Sequence, residues 1–276
     1  MSRLLIFGLG YTATRLADRL SHEGWHIAAT RRTATANTIA FDDEPVVRAE
    51  IAAATHILSS VPPTDGRDPV LDRYGPALLR TRWLGYLSST GVYGDAAGAW
   101  VDETAPVGTG RRNARAAADL AWQTLPGAQI FRLPGIYGPG RSALDRVREG
   151  RAHRIDLPDQ VFSRVHVDDI VAGVLAGMDG PPGVYNLADD QPSSQNAVIE
   201  AACDLLGVPW PVLQSLDAAN LSPMARGFYA ENRRVANGKA KRVLGWRPAF
   251  PNYRAGLRAL NATTSPAIAS AEPTPA

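Results

Sequence analysis

The first twenty residues constrain the fold of this chain more than any other segment. Residues 4–7 form a short apolar run, LLIF, of the kind that is typical of a buried strand. The run leads directly into a glycine turn, GLGYTA, at residues 8–13. After the turn, small and apolar residues recur at helical spacing, namely Ala13, Leu16, Ala17 and Leu20. This order predicts a strand, a tight turn and an amphipathic helix, which is the opening unit of an α/β fold.

The same alternation of short β-rich runs and helical segments continues along the chain. Further strands are predicted at residues 25–30, 38–41, 55–61, 83–88, 129–133 and 184–187. Helical segments lie between most of these runs. We therefore predict an α/β fold of the Rossmann type, a doubly wound parallel sheet with helices on both faces.

The order of the elements also predicts how the chain is divided. Residues 1–135 and 161–188 are expected to form the sheet domain. Residues 136–160 and 189–260 are expected to form a smaller substrate-binding lobe over the carboxyl ends of the strands. Residues 261–276, NATTSPAIASAEPTPA, are rich in small residues and proline, and this composition predicts a disordered tail.

Charge and cysteine content exclude several classes of function. The net charge is +2 with both signs interspersed, so neither a nucleic-acid-binding stripe nor a polybasic membrane patch is expected. A single cysteine, Cys203, excludes an internal disulfide and a cysteine-rich zinc site. The sequence shows neither a run long enough to span a bilayer nor a signal peptide. We therefore expect a cytoplasmic protein with a small-molecule partner and no bound metal.

The glycine turn has the spacing of a dinucleotide-binding fingerprint, G-x-G-x-x-A. Gly8 permits the tight turn, Gly10 lets the backbone approach a pyrophosphate, and Ala13 is small enough for the helix to pack on its strand. The intervening Tyr11 and Thr12 lie at the helix N-terminus, where unpaired N–H groups attract phosphate. We predict that these five residues bind a dinucleotide.

The end of the second strand indicates which dinucleotide is bound. An NAD-specific site places a carboxylate here for the ribose 2′-OH, whereas this chain has Arg31 and Arg32. A guanidinium can bind a 2′-phosphate through two hydrogen bonds, so NADP(H) is predicted. The alternative is a solvated basic turn. A further group at the end of the fourth strand is expected to line the adenosine or ribose side of the cofactor, namely Ser59, Ser60 and Val61.

Several motifs resemble those of one known family. From residue 86 the chain reads YLSSTGVYGD, then an acidic loop WVDETAP and the helical run GRRNARAAADLAW. This order resembles the catalytic segment of the extended short-chain dehydrogenase/reductases, the NAD-dependent epimerase/dehydratase family. FRLPGIYGPGR, SRVHVDDI, GVYNLADDQPSS and RRVANGKAKRVLGWRPAFPNYRAGL are similar to later motifs of that family, in the same order. The resemblance covers nearly all of residues 1–260 and implies possible pairing of two copies through the helices that flank the catalytic strand.

The resemblance implies a catalytic set that this chain lacks in part. In the family a Ser or Thr hydroxyl binds the substrate oxygen, a Tyr is the general acid/base, and a Lys holds the nicotinamide ribose. These three positions fall on Ser89, Arg111 and Arg115. Arginine stays protonated, so Arg111 cannot exchange a proton as the Tyr does. Arg115 either holds the ribose hydroxyls or pairs with Asp119 four residues later on an exposed helix face.

Other residues are candidates for the missing proton donor. Tyr93 lies in the VYG motif, and Tyr137 lies in the GIYGPG segment. The family's backbone passes beside the nicotinamide in that segment, which implies a cofactor contact at Pro134. His166 before an apolar helix is typical of a structural residue rather than a catalytic one.

The substrate lobe carries a second group of basic residues, namely Arg226, Arg233 and Arg234. They either bind an anionic substrate or solvate a loop.

Two functional hypotheses follow from the sequence. The first is an NADP(H)-dependent oxidoreductase that acts on a nucleotide-sugar or another polyol or carbonyl substrate with non-standard acid/base chemistry. The second is a non-catalytic NADP(H) sensor or partner-binding protein on the same fold.

Overall fold

The computed structural model describes residues 2–110 and 113–264. The strands are β1 (Arg3–Phe7), β2 (His26–Arg31), β3 (Ile39–Ala40), β4 (His56–Ser59), β5 (Trp83–Ser89), β6 (Trp100–Val101), β7 (Ala128–Leu133), β8 (Gly135–Tyr137), β9 (Arg154–Ile155), β10 (Arg164–His166), β11 (Gly183–Asn186), β12 (Leu213–Gln214) and β13 (Arg234–Val235). The helices are α1 (Tyr11–His22), α2 (Glu44–Ala53), α3 (Pro69–Leu78), α4 (Asn113–Gln123), α5 (Ala143–Arg148), α6 (Val167–Met178), α7 (Gln195–Leu206), α8 (Pro223–Phe228), α9 (Gly238–Val243) and α10 (Tyr253–Thr264), with a 3₁₀ turn at Thr90–Tyr93. Within these described ranges, every helix is too short or too polar to cross a lipid bilayer.

Seven parallel strands form the central sheet in the order β11-β7-β5-β4-β1-β2-β3. The chain builds outward from β1 through β2 to β3, then crosses to β4 on the other side of β1. It continues outward through β5, β7 and β11, always in parallel. This arrangement confirms the predicted doubly wound sheet. The strand order reverses between β1 and β4, and in such sheets ligands bind outside the carboxyl ends of the strands at this switch point.

Alternate residues of β1 enter two hydrophobic cores, one on each face of the sheet. Leu4 and Ile6 pack with residues of α1 and α6, whereas Leu5 and Phe7 pack with residues of α2, α3 and α4. All four side chains are fully buried, which explains why the run is apolar throughout instead of alternating. Burying each such side chain contributes about 1.5–3 kcal/mol. The run therefore fixes β1 at the centre of the sheet and places Gly8 at its carboxyl edge.

The smaller lobe has its own core, and a carboxylate of α6 is one of the groups that join it to the sheet domain. This core is one hydrophobic cluster that includes Leu144 of α5, Cys203 of α7 and Leu257 of α10. Asp169, in the first turn of α6, accepts hydrogen bonds from the backbone N–H groups of residues 249 and 250. The Trp246 indole donates to the backbone carbonyl of the same aspartate across 3.0 Å. These bonds fix the segment that leads into α10 against the sheet domain.

The last helix extends beyond the end predicted from the sequence. α10 continues to Thr264, so the prediction of a tail from residue 261 is wrong by one helical turn. The helix is anchored by Leu257 and Leu260, and a helix can extend by a turn beyond its last buried residue. The rest of the predicted tail, residues 265–276, lies outside the described residues.

Candidate active site

The glycine turn after β1 contains two glycines with different physical roles. Gly8 has a φ of +85°, and a Cβ there would lie 3.0 Å from Val61 Cγ2 and 3.1 Å from Ser60 Oγ. Its lack of a side chain is therefore required by the fold itself. Gly10 has an ordinary φ of −95°, and a Cβ there would meet no protein atom within 4 Å. The open space above Gly10 is suited to the close approach of a ligand.

The N-terminus of α1 opens into that space. Gly10 is the N-cap, and within the described ranges no side chain caps the helix. The first turn contains no acidic residue. The helix therefore presents unpaired N–H groups and a partial positive charge, the arrangement that binds pyrophosphate groups in this type of fold.

The predicted adenosine-side residues surround the same turn. Ser60 Oγ donates to the Gly8 carbonyl, and Val61 packs against the glycine. Ser59, at the end of β4, is fully buried, and its hydroxyl has no hydrogen-bond partner in the described structure. At the end of β2, Arg31 and Arg32 are both exposed, and within residues 2–110 and 113–264 neither guanidinium forms an ion pair. Two free cations thus lie where the sequence places the 2′-phosphate.

One cleft of about 670 Å³ connects the glycine turn to the smaller lobe. Gly10, Tyr11, Thr12 and Ala13 line one end. The middle is lined by residues at the carboxyl ends of β5 and β7 and by one side chain of α4, namely Ser88, Ser89, Leu133, Pro134 and Arg115. The structure therefore brings most of the residues predicted from the sequence into a single cleft. Five of the predicted cofactor-binding residues do not line it, namely Gly8, Ser59, Val61, Arg31 and Arg32.

Ser89 is held at the point where β5 ends. Its Oγ accepts the Gly91 N–H across 3.1 Å and so caps the 3₁₀ turn Thr90–Tyr93. The hydroxyl proton is not used by that bond. The Ser89 O–H is therefore available to donate a hydrogen bond to a substrate oxygen in the cleft.

Arg115 faces the cleft and does not pair with Asp119, the alternative given by the sequence. Its Nη1 lies 3.4 Å from the Tyr86 hydroxyl, and the Tyr86 ring stacks on Trp122. The predicted ion pair between Arg115 and Asp119 on an exposed face is wrong. Asp119 is fully buried, and its carboxylate accepts hydrogen bonds from Arg132 Nε and Nη2 across 3.1 and 2.7 Å. Arg115 is thereby left free to bind a ligand, whereas Arg111 lies outside the described residues.

Tyr93 belongs to a buried polar network and does not line the cleft. Its hydroxyl donates to Asn186 Oδ1 across 2.7 Å and accepts from Arg132 Nη1 across 3.0 Å. Burial raises the pKa of Tyr93 to about 12. A buried phenol with both bonding directions occupied is a structural group. The geometry therefore argues against Tyr93 as a proton donor.

Tyr137 lines the cleft, but its hydroxyl lies against the smaller lobe. A Cβ on Gly256 of α10 would clash with the Tyr137 hydroxyl, which has no hydrogen-bond partner in the described structure. Burial raises the pKa of Tyr137 far above its ordinary value, with the nearby charge of Asp189 adding to the effect. The ring packs edge-on against His166, whose side chain accepts the Asp168 N–H at the start of α6. The phenol is thus kept neutral and is poorly suited to exchange protons near neutral pH.

The lobe end of the cleft is strongly basic. Of the three arginines predicted there, only Arg233 lines the cleft, and it also bonds to Glu231. Arg226 pairs with an exposed aspartate, and Arg234 donates to the Gly98 carbonyl. Four further cleft arginines were not predicted from the sequence, namely Arg141, Arg146, Arg151 and Arg164. The first three follow one another at intervals of five residues. This spacing matches neither a helix face nor a strand face, so it did not predict a shared site.

The described side chains contain no group of three or more His, Cys, Asp or Glu residues that could hold a metal ion.

No protein-family model matches the chain. One curated relative is the 3-diazoavenalumate denitrifying reductase of a Streptomyces species, 31% identical over 143 residues. That match spans 46% of this chain and 45% of the reductase, so it covers less than half of the relative's length.

Solved structures match over almost the whole chain. A functionally unknown conserved protein from Silicibacter pomeroyi DSS is 43% identical with a TM-score of 0.85, over 95% of this chain and 99% of that protein. The human epimerase family protein SDR39U1, solved with NADPH, is 17% identical with a TM-score of 0.72, over 94% of this chain and 99% of its own. MoeE5, solved with UDP-glucose and NAD, is 18% identical with a TM-score of 0.71, over 95% of this chain and 98% of its own. The chain therefore belongs to one family with the Silicibacter protein, and its fold is that of the extended short-chain dehydrogenase/reductases, as its motifs predicted.

Proposed function

We propose that this chain is an NADP(H)-dependent reductase of a small carbonyl-type substrate. The observation that carries the proposal is the single cleft in which the uncapped N-terminus of α1 meets Ser89 and Arg115 at the strand ends. A curated relative that matches 46% of this chain is named a reductase, which supports redox chemistry. The solved neighbours contain either NADPH or NAD, so the fold does not decide between the two cofactors.

The residues of this chain fit the phosphorylated cofactor. The N-terminus of α1 and the bare backbone at Gly10 would hold the pyrophosphate. Arg31 and Arg32, both exposed and without ion pairs in the described ranges, would hold the 2′-phosphate. A carboxylate at this position would repel that phosphate, and none follows β2 directly. When bound, the nicotinamide supplies a hydride.

The catalytic step would rely on charge stabilisation instead of a positioned acid. Hydride addition to a carbonyl carbon moves the π electrons onto the oxygen and leaves an oxyanion. The Ser89 O–H and the Arg115 guanidinium are the donors available for that oxyanion, and such preorganised donors are worth several kcal/mol. Solvent water then supplies the proton.

Nicotinamide absorbance tests the proposal. Purified protein is given NADPH with a panel of aldehydes, ketones and nucleotide sugars, and Ser89→Ala and Ser89→Thr variants are compared with the wild type. Turnover that falls at least about tenfold in Ser89→Ala and is retained in Ser89→Thr supports the oxyanion role. Turnover that is unchanged in Ser89→Ala would remove Ser89 from the reaction.

A non-catalytic NADP(H) sensor is the alternative, and one observation favours it. Position 111, where the family resemblance implies a tyrosine general acid, is an arginine. Tight NADPH binding without turnover on any member of the panel would support this alternative over the reductase.

A further inference from the structure

The lobe end of the cleft contains cations that have no carboxylate partner. Six arginines line the described cleft, against one carboxylate, Glu231, which already pairs with Arg233. The Arg146 guanidinium has neither a hydrogen bond nor an ion pair within residues 2–110 and 113–264. Desolvation lowers the pKa of Arg146, and the nearby charges of Arg141 and Arg151 lower it further. Arg146 is exposed to the cleft, and an incoming anion would supply the acceptors that its guanidinium lacks within the described residues.

Arg164 deepens the positive potential at the same end. It is almost fully buried, yet among the described residues its guanidinium donates only to neutral acceptors: the carbonyls of Phe162 and Ser193 and the amide oxygen of Gln195. Its bonding directions are largely occupied. Arg164 therefore contributes charge, whereas Arg146 and Arg141 line the cleft with guanidinium groups that have no acceptor within the described residues, and Arg146 is the one on α5 near Tyr229.

Aromatic and aliphatic side chains border these arginines. The rings of Phe162 and Tyr229 meet edge-to-face with centroids 5.5 Å apart. Leu221 and Ala225 line the cleft beside them. These walls suit a flat apolar body.

We infer that the substrate of this cleft is an aromatic carboxylic acid, with its carboxylate on Arg146, its ring against Phe162 and Tyr229, and its reducible group towards Ser89. This inference rests on the proposed reductase function and names the substrate class of the same site. A guanidinium beside apolar walls fits the carboxylate and the ring of such an acid.

Isothermal titration of the NADP⁺-saturated protein tests the inference without turnover. The probes are cinnamate, its neutral amide cinnamamide, and UDP-glucose. We expect cinnamate to bind about ten- to a hundredfold more tightly than cinnamamide, the range of a charge-assisted hydrogen bond. Arg146→Gln should remove that difference by weakening cinnamate alone. Arg148→Gln, a matched change on the same helix outside the cleft, should leave all three affinities unchanged.

Three outcomes would overturn the inference: equal binding of cinnamate and cinnamamide, full cinnamate affinity in Arg146→Gln, or UDP-glucose binding that exceeds that of cinnamate. A titration of NADPH into the same samples separates this result from the proposed function. If NADPH binds and cinnamate does not, only the substrate class is wrong. If NADPH itself fails to bind, the reductase proposal fails.

Discussion

Replacing Arg132 by methionine is expected to destabilise this protein severely. The Arg132 guanidinium makes two hydrogen bonds to the Asp119 carboxylate, and the side chains are 2% and 0% exposed. The carboxylate also accepts from the Ser88 hydroxyl and the Gln123 amide. Removing one partner of a buried ion pair leaves an uncompensated charge and costs about 3–5 kcal/mol. That is a large fraction of the 5–15 kcal/mol by which a typical domain is stable.

A double-mutant cycle separates the free energy of the ion pair from the loss of packing. Asp119→Leu combined with Arg132→Met removes both charges, and a well-packed apolar pair recovers much of the stability. Urea unfolding followed by circular dichroism measures the free energy of unfolding of each variant. We expect each single variant to lose about 3–5 kcal/mol and the double variant to lose less than the sum of the two.

Arg115→Met is the matched control, since it makes the same chemical change on the side chain that faces the cleft. We expect it to change stability by less than about 1 kcal/mol and to show no coupling to Asp119. Two results would contradict this pairing: Arg115→Met is as destabilising as Arg132→Met, or Arg115 and not Arg132 couples to Asp119. In that case the aspartate would be paired within α4 and Arg115 would not be free for a ligand.

Two further predictions test the cofactor turn and a buried carboxyl. Gly10→Ala should unfold like the wild type, because its Cβ meets only open space among the described atoms. It should bind NADPH at least about tenfold more weakly by titration calorimetry, because the Cβ occupies the space that the pyrophosphate needs. Gly8→Ala, at φ +85°, should instead cost about 1–2 kcal/mol of stability. An unchanged NADPH affinity in Gly10→Ala would remove Gly10 from the phosphate site. Burial raises the pKa of Asp189 to about 7 from an ordinary value of 3.8, so the folded chain holds this proton more tightly than the unfolded chain does. The contribution of Asp189 to the free energy of unfolding is full below about pH 4 and is lost as the pH rises through about 7. Asp189→Asn should therefore show a smaller fall in the urea midpoint over this pH range. The same pH profile in both proteins would show that Asp189 ionises normally.

Much of the sheet domain was predictable because its signals are local. The apolar run of β1, the glycine turn and the spacing of the α1 residues are each decided by neighbours in sequence. α2 was not predicted, since its buried face consists of only Val47 and Ile51. β4 ends at Ser59, two residues before the predicted end, because Ser60 and Val61 turn to pack on Gly8.

The charged residues of the site were less predictable because their partners are distant in sequence. An aspartate four residues after an arginine predicts a pair on one helix, and the sequence does not show that Arg132 points at Asp119 from β7. The role of Arg146 depends on where α5 lies relative to Phe162 and Tyr229. In both cases the deciding quantity is burial across elements, which periodicity does not encode.

The ratio of NADPH to NADH affinity tests the central claim most directly. Titration calorimetry measures both dissociation constants for the wild type and for the Arg31→Ala/Arg32→Ala double variant. We expect a wild-type preference for NADPH that falls at least about tenfold in the variant, with NADH affinity unchanged. An affinity ratio that is the same in both proteins would contradict that claim.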